Sequence, residues 1–198
     1  MIPNIILEKI VSFTEEEINN LNGKKVIDNS IFIENSNIID YHKILKSNDH
    51  ISIRKHARFA EYPKHKHNYI ELMYVYSGKM THSINGEEIT VKRGEMLLLN
   101  QNIEHSIKFA NENDIIFNFI IPPTFLEFLS SMIKEQIELS CFIFDAIYSY
   151  NNKGEYLVFK VSEDEKIRMQ IEEIIINIYK PPYQNELVLK LLVGVIVS

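Results

Sequence analysis

The chain has 198 residues, which makes about one to one and a half ordinary domains and is long enough to bury a core without disulfide staples. Apolar residues make up 45% and charged residues 24%, a globular rather than a disordered composition. Lys and Arg total 21 against 27 Asp and Glu, a net charge of −6, so the chain lacks the basic face of a DNA-binding domain.

The first ten residues are apolar but have no basic lead and no small-residue cleavage site, and Glu8 and Lys9 interrupt the run, so they do not read as a signal peptide. Residues 1–45 read as an N-terminal arm. Thr14-Glu15-Glu16-Glu17 is a capping box opening a short helix that ends at Asn22-Gly23. Strand-like pieces follow at Lys25–Ile27 and Ile31–Ile33.

Residues 46–121 read as a dense series of strands: 51–59, 68–76, 80–84, 87–91, 95–99, 104–109 and 115–121. Asn85-Gly86 is the strongest hairpin signal, and Lys92-Arg93-Gly94 marks another turn. Short strands at this spacing predict a sandwich or barrel. No βαβ alternation and no glycine-rich phosphate loop is present.

At Pro122-Pro123 the period changes, and residues 122–198 read as a helical region. Thr124 to Glu127 and Ser162 to Glu165 form two more capping boxes. Between their helices, Tyr156 to Val161 reads as extended. The second of these helices carries Ile167, Ile171, Ile174, Ile175 and Ile178 on one face, a stripe that serves either as core against the barrel or as a dimer seam. A last helix from Asn185 runs apolar to Ser198 without a cap, which predicts an excised domain whose parent continues. No stretch is long and apolar enough to span a membrane. The single cysteine, Cys141, allows no internal disulfide and fits a reducing, cytoplasmic setting.

The chemistry concentrates in His65-Lys66-His67-Asn68-Tyr69-Ile70-Glu71, closed by Gly78, with His105 following Gly94. Strand alternation puts His65, His67, Tyr69 and Glu71 on one face, and His105 joins from a neighbouring strand. Three imidazoles and a carboxylate suit Fe(II), Mn, Ni, Zn or Cu(II). Arg54, His56 and Arg58 alternate on another strand. They form either a cradle for an anionic or hydroxylated ligand or a solvated face. Tyr69, Tyr74 and Tyr76 offer stacking and hydroxyl contacts suited to a sugar, and His82 reads as an exposed strand residue.

This pattern resembles the cupin superfamily. The first cupin motif is matched at both histidines, the glutamate and the closing glycine. The second is matched at Gly94 and His105, but Asn100, Asn102 and Phe109 stand where proline, glycine and asparagine are usual. With 94–100, Ile115–Ile121 and the helical tail, residues 50–198 are more narrowly similar to the N-terminal domain of AraC-type transcription regulators.

That resemblance implies a mostly β fold plus α: an N-terminal cupin (double-stranded β-helix, jelly-roll) barrel, then a helical C-terminal subdomain. It implies an effector-sensing domain that binds a small molecule, dimerises through its C-terminal helices, and acts on DNA only through a helix-turn-helix domain absent from this chain. His65, His67, Tyr69, Glu71, His105, His56 and Arg54 are then the ligand-binding residues, the N-terminal arm a cover for the barrel mouth, and no cofactor is expected. The alternative is a metal-dependent cupin enzyme, a dioxygenase or isomerase, with a divalent transition metal on His65, His67, Glu71 and His105. A stand-alone structural or storage-type cupin is a third reading.

Overall fold

The computed structural model describes residues 2–24, 28–45, 51–125 and 154–179. Expected features at Lys25–Ile27, in the first C-terminal helix beyond Phe125, at Cys141 and from Asn185 onward lie outside these residues.

The strand-rich middle of the sequence folds into two five-stranded sheets. In the first, β1 (Ile38–Ile39), β3 (Tyr62–His67), β8 (His105–Ile107), β5 (Lys79–Ile84) and β6 (Glu87–Lys92) lie in that order. In the second the order is β10 (Tyr156–Phe159), β7 (Met96–Leu99), β4 (Ile70–Ser77), β9 (Ile115–Ile121) and β2 (Ser52–Lys55). Strands from both flanks of the 46–121 span thus join the sheets. β1 runs parallel to β3, and β10 pairs antiparallel with β7.

The two sheets differ in sequence for a physical reason. In β5 buried and less buried residues alternate, as suits a sheet wetted on its outer side. In β4, β7 and β9 apolar residues run almost without break, because both faces of the second sheet are covered. Its inner face shares a core with the first sheet through Met73, Val75, Leu97, Leu99, Met80 and Ile107. Its outer face carries Leu72, Leu98, Phe117 and Phe119, covered by two helices. One is α1 (Asn4–Val11), which the sequence reading missed; Ile6 and Ile10, spaced by four, form its buried stripe, and Ile2 just before the helix is buried with them. The other, here α4 (Glu165–Tyr179), buries Ile171, Ile174 and Ile175. The isoleucine stripe is therefore core against the chain's own sheet.

Local signals hold where their geometry is self-contained. Thr14 Oγ1 accepts from the Glu17 N–H at 3.2 Å, and Glu17 Oε2 accepts from the Thr14 N–H at 2.7 Å, closing the capping box of α2 (Glu15–Leu21). Asn85 and Gly86 both take positive φ, 53° and 86°, as a tight hairpin turn requires. Gly78 turns at φ 72°, and a Cβ there would lie 2.1 Å from Asp114 Oδ1. Two expectations fail. Ile31–Ile33 is not a strand: Asn29–Ile31 is a short 3-10 turn, followed by an isolated bridge from Phe32 to Ile39. α4 starts two residues later than its capping box predicted: Asp164 Oδ1 accepts from the Lys166 and Ile167 N–H groups, while Ser162 packs over Gly94. Among the described residues no helix is long and apolar enough to cross a membrane.

Candidate functional site

β3 ends at His67 in the first sheet and β4 begins at Ile70 in the second, so the two imidazoles and Glu71 come from opposite sheets. The single-strand alternation expected from the sequence is incorrect, yet the side chains still meet, because the sheets face each other across the shared core. The corner between the strands is held from outside, by the start of the short α3 (Tyr41–Ile44): Asn68 Oδ1 accepts from the Tyr41 N–H and its Nδ2 donates to Asp40 Oδ1, both at 2.9 Å. His105 joins from β8, opposite His65 in register and beside Ile84 of β5.

His67, Glu71 and His105 are buried and bring one ligand-type atom each within 4.8 Å of one another. Glu71 Oε2 lies 3.7 Å from His67 Nε2 and 3.8 Å from His105 Nε2. His67 Nδ1 donates to the Tyr69 carbonyl at 2.7 Å, which fixes its tautomer and leaves Nε2 with a lone pair. All three facing atoms are buried and unpaired among the described residues. The His65 ring lies tilted beside that of His105, with centroids 4.3 Å apart, but does not join this triad. His82, expected on the surface, is fully buried, with its ring 5.3 Å from that of His105 and Nε2 3.0 Å from Met80 Sδ. It shares the inner face of β5 with Met80 and Ile84, so alternation, followed strictly, would have found it.

Burial sets the charge of these groups. It pushes His67 and His82 down to about 3 and His56 to about 4, and lowers His65 and His105 as well, with neighbouring imidazoles adding to the shift for all but His65. Near neutral pH the rings are neutral. Burial also pushes Glu71 up to about 7, against the hydrogen bond that Asn118 Nδ2 donates to Oε1 at 3.0 Å.

A cavity of about 70 Å³ opens beside the triad. Of the residues predicted to bind ligand, Arg54, His56, His65, Tyr69 and Glu71 line it. His67 and His105 do not line it, although Glu71 Oε2 lies 3.7 and 3.8 Å from their Nε2 atoms. Tyr74 and Tyr76 pack on the outer face of the second sheet, away from the cavity. Arg58 also leaves the expected row. β2 ends at Lys55, and the buried Arg58 guanidinium turns to Glu17, with Nε 2.7 Å from Oε1. It also donates to the Val11, Ser12 and Glu112 carbonyls.

The sequence reading missed Asn118, Tyr62 and Ala57 in the lining. Asn118 had a signal, being the one polar residue in the apolar run of β9. The other wall comes from residues before β2: Glu16, Ile31, Ile39 and Ile44 line the cavity. The departure at Asn100 also has a reason. Its buried Oδ1 accepts from the Asn102 and Glu155 N–H groups at 3.1 Å, tying the turn to the start of β10.

Comparison with known proteins agrees with this architecture. An apo variant of ToxT from Vibrio cholerae is 14% identical over 76% of this chain and 55% of that one, with a TM-score of 0.53, a likeness of fold. A fatty acid-bound ToxT structure from the same organism is 14% identical over 73% and 51%, with a TM-score of 0.47. A cupin protein from Bacteroides fragilis is 24% identical over 36% and 64%, with a TM-score of 0.31. The chain spans about half the length of the ToxT chains it matches. No curated protein matches the sequence. The family model described as the AraC-like ligand binding domain matches residues 49–186, well over half of the chain, and the protein belongs to that family.

Proposed function

We propose that this chain is the effector-sensing part of an AraC-type transcription regulator, with the small molecule held in the cavity between the sheets and the N-terminal arm. The observation that carries the reading is the cavity itself, with His56 Nε2, Glu71 Oε2 and Asn118 Oδ1 of its lining residues buried and unpaired among the described residues. Buried polar atoms without partners are costly, so a ligand that satisfies them is bound with gain. The effector need only favour one arrangement of the arm to shift the population of the whole regulator. Residues 122–198 supply dimerisation in this reading, at a surface other than the buried isoleucine stripe, and a helix-turn-helix domain outside this chain meets DNA in the cytoplasm. The test is a thermal-stability screen of the chain against small metabolite-like compounds, sugars included, repeated on Ala57→Leu, which fills the cavity. Stabilisation that the filling abolishes supports the reading; stabilisation by nothing, or surviving the filling, refutes it.

A second reading is favoured by the triad. Two neutral imidazoles and a carboxylate oxygen, all otherwise unpaired, fit a divalent transition metal on His67, Glu71 and His105. Such an ion would supply Lewis-acid chemistry to a cupin enzyme, with His65 on the cavity side positioned to move a proton. Elemental analysis of untagged protein, before and after chelation, decides it. Near-stoichiometric iron, manganese, nickel or zinc, lost in His67→Ala, promotes the enzyme over the sensor.

A further inference from the structure

The two edges of the first sheet are not alike. The outer side of β1 is taken by the chain's own residues 31–33: the Ile33 N–H donates to the Ile38 carbonyl at 2.8 Å, and the Asp40 N–H donates to the Ile31 carbonyl at 2.9 Å. β6, at the opposite edge, pairs only with β5 among the described residues. It runs from Glu87 to Lys92 without a break in register, and neither a proline nor a bulge blunts it.

The hairpin decides which groups that edge offers. With a two-residue turn at Asn85-Gly86, Ile84 and Glu87 form a hydrogen-bonded pair, and bonded pairs recur at every second residue. Glu87, Ile89 and Val91 therefore spend their backbone groups on β5, while those of Glu88, Thr90 and Lys92 point outward. The turn that follows uses up Lys92: its N–H donates to Glu95 Oε2 at 2.8 Å, and its carbonyl accepts from the Glu95 N–H at 2.9 Å. What remains is the N–H and C=O of Glu88 and of Thr90, without partners among the described residues. These free groups lie symmetrically about an apolar residue, Ile89.

We infer that β6 is a contact between two copies of this chain, which pair antiparallel about a two-fold axis at Ile89 and join their first sheets into one. In that register Glu88 faces Thr90 of the second copy, and Thr90 faces Glu88 of the second copy. Each pair exchanges both its bonds, so every free backbone group of the edge finds a partner. An axis at Thr90 would instead set Glu88 against Lys92 of the second copy, whose groups the turn already holds. On the inner face Ile89, half-buried against the shared core, meets Ile89 of the second copy across a close pair without bonds. On the outer face the Glu88 carboxylate lies 3.4 Å from Lys108 Nζ, which weakens repulsion between the two Glu88 residues. An unrelated strand would leave the symmetry of the edge unused, whereas a two-fold contact requires it. The inference does not rest on the effector reading, and this contact is additional to any that residues 122–198 make.

Cysteine substitutions in a Cys141→Ser background read the register directly. A pair without bonds brings its Cα atoms to about 4.5 Å, within disulfide range, whereas residues one place off the axis sit two steps apart along the strands. Ile89→Cys should cross-link to a dimer under mild oxidation with diamide, and Glu88→Cys and Thr90→Cys should do so at least about tenfold more slowly. Thr90→Pro removes an outward N–H and leaves the β5–β6 bonds in place, so it should keep the circular dichroism of the parent. It also deletes half of the ladder bonds between the copies. In sedimentation, the transition to a species of half the mass should therefore move to at least about tenfold higher concentration. Cross-linking of Ile89→Cys should fall in the same background. Fastest cross-linking at position 88 or 90, or assembly and cross-linking unmoved by Thr90→Pro, overturns the inference. So does a parent chain that stays monomeric at high micromolar concentration, which leaves the edge to solvent or to another protein. The cysteine comparison decides even where Thr90→Pro does not fold.

Discussion

Replacing Arg58 by Met removes one of the two cations, with Lys55, that pair with the buried Glu17 carboxylate. Glu17 is fully buried, and burial alone would raise its carboxyl. The Arg58 guanidinium, the Thr14 N–H and Lys55 together outweigh burial and hold it at about 2, against 4.5 in an unfolded chain. At 1.36 kcal/mol per pH unit, that difference corresponds to about 3 kcal/mol of stability. Measured costs of removing one partner from a buried pair, about 3–5 kcal/mol, agree. Arg58→Met should therefore cost about 3 kcal/mol in urea unfolding at pH 7, and Glu17→Gln a similar amount. The double variant should cost clearly less than the sum, because each single change strands the other group. The sign with pH follows from the lowered carboxyl: its contribution is present above 4.5 and is lost as pH falls towards 2. The damage should also be local. Arg58 and Lys55 grip the carbonyls of Ile10, Val11 and Ser12, so amide exchange should quicken first in α1 and α2 and least in β4 and β9. A loss under about 1 kcal/mol, additive single changes, or uniform exchange across the chain would refute the latch.

Ile175→Glu should unfold the chain rather than split a dimer, because Ile175 is fully buried against the second sheet; a folded monomer by sedimentation and circular dichroism would contradict that placement. Gly78→Ala should cost more than about 2 kcal/mol, since its Cβ would strike Asp114, whereas Gly86→Ala, with similar φ but open space, should cost about 1 kcal/mol; equal losses in thermal unfolding would show that the contact is absent. Chelator-treated protein should lose stability on acidification from pH 6.5 to 4.5. His56, His67 and His82 resist protonation until about 4, 3 and 3, so the unfolded chain takes up protons that the folded one refuses, while Glu71, held at about 7, works the other way. These three groups against Glu71 give about two protons net, or about 2–3 kcal/mol per pH unit midway, and His65 and His105, lowered as well, add in the same sense; a urea midpoint that stays level or rises from pH 6.5 to 5 would refute this.

What could be read from the sequence was whatever is settled within a few residues. The Asn85-Gly86 hairpin, the Thr14 capping box and the apolar runs of β7 and β9 each carry their own geometry, and each stands where local chemistry put it. The strand period also contained more than residue type suggested. Met80, His82 and Ile84 share one face of β5, and two apolar neighbours on an alternating strand bury the histidine between them. Likewise Tyr74 and Tyr76 differ in parity from Glu71, which puts them on the opposite face of β4, against α4 rather than the cavity. Other features depend on distant partners. Alternation places Arg58 in one row with Arg54 and His56 only while the strand persists. β2 stops at Lys55 and Phe59 turns at φ 68°, and it is Glu17, 41 residues earlier, that decides where the guanidinium goes.

The split of the histidine motif between two sheets was hidden for a similar reason. Residues 65, 67 and 71 have equal parity whether the chain runs straight or turns a corner at Asn68, and the anchors of that corner are Asp40 and Tyr41. The turn also gives the site its layered arrangement. Because Glu71 arrives from the sheet opposite His67 and His105, its carboxylate borders both the two imidazoles and the cavity, with Asn118 on Oε1 and Oε2 unpaired among the described residues. One unpaired oxygen cannot fully satisfy both a metal on the triad and a donor in the cavity. The two readings of the site therefore compete for a single atom, and loading the triad with metal should weaken any ligand that depends on Glu71.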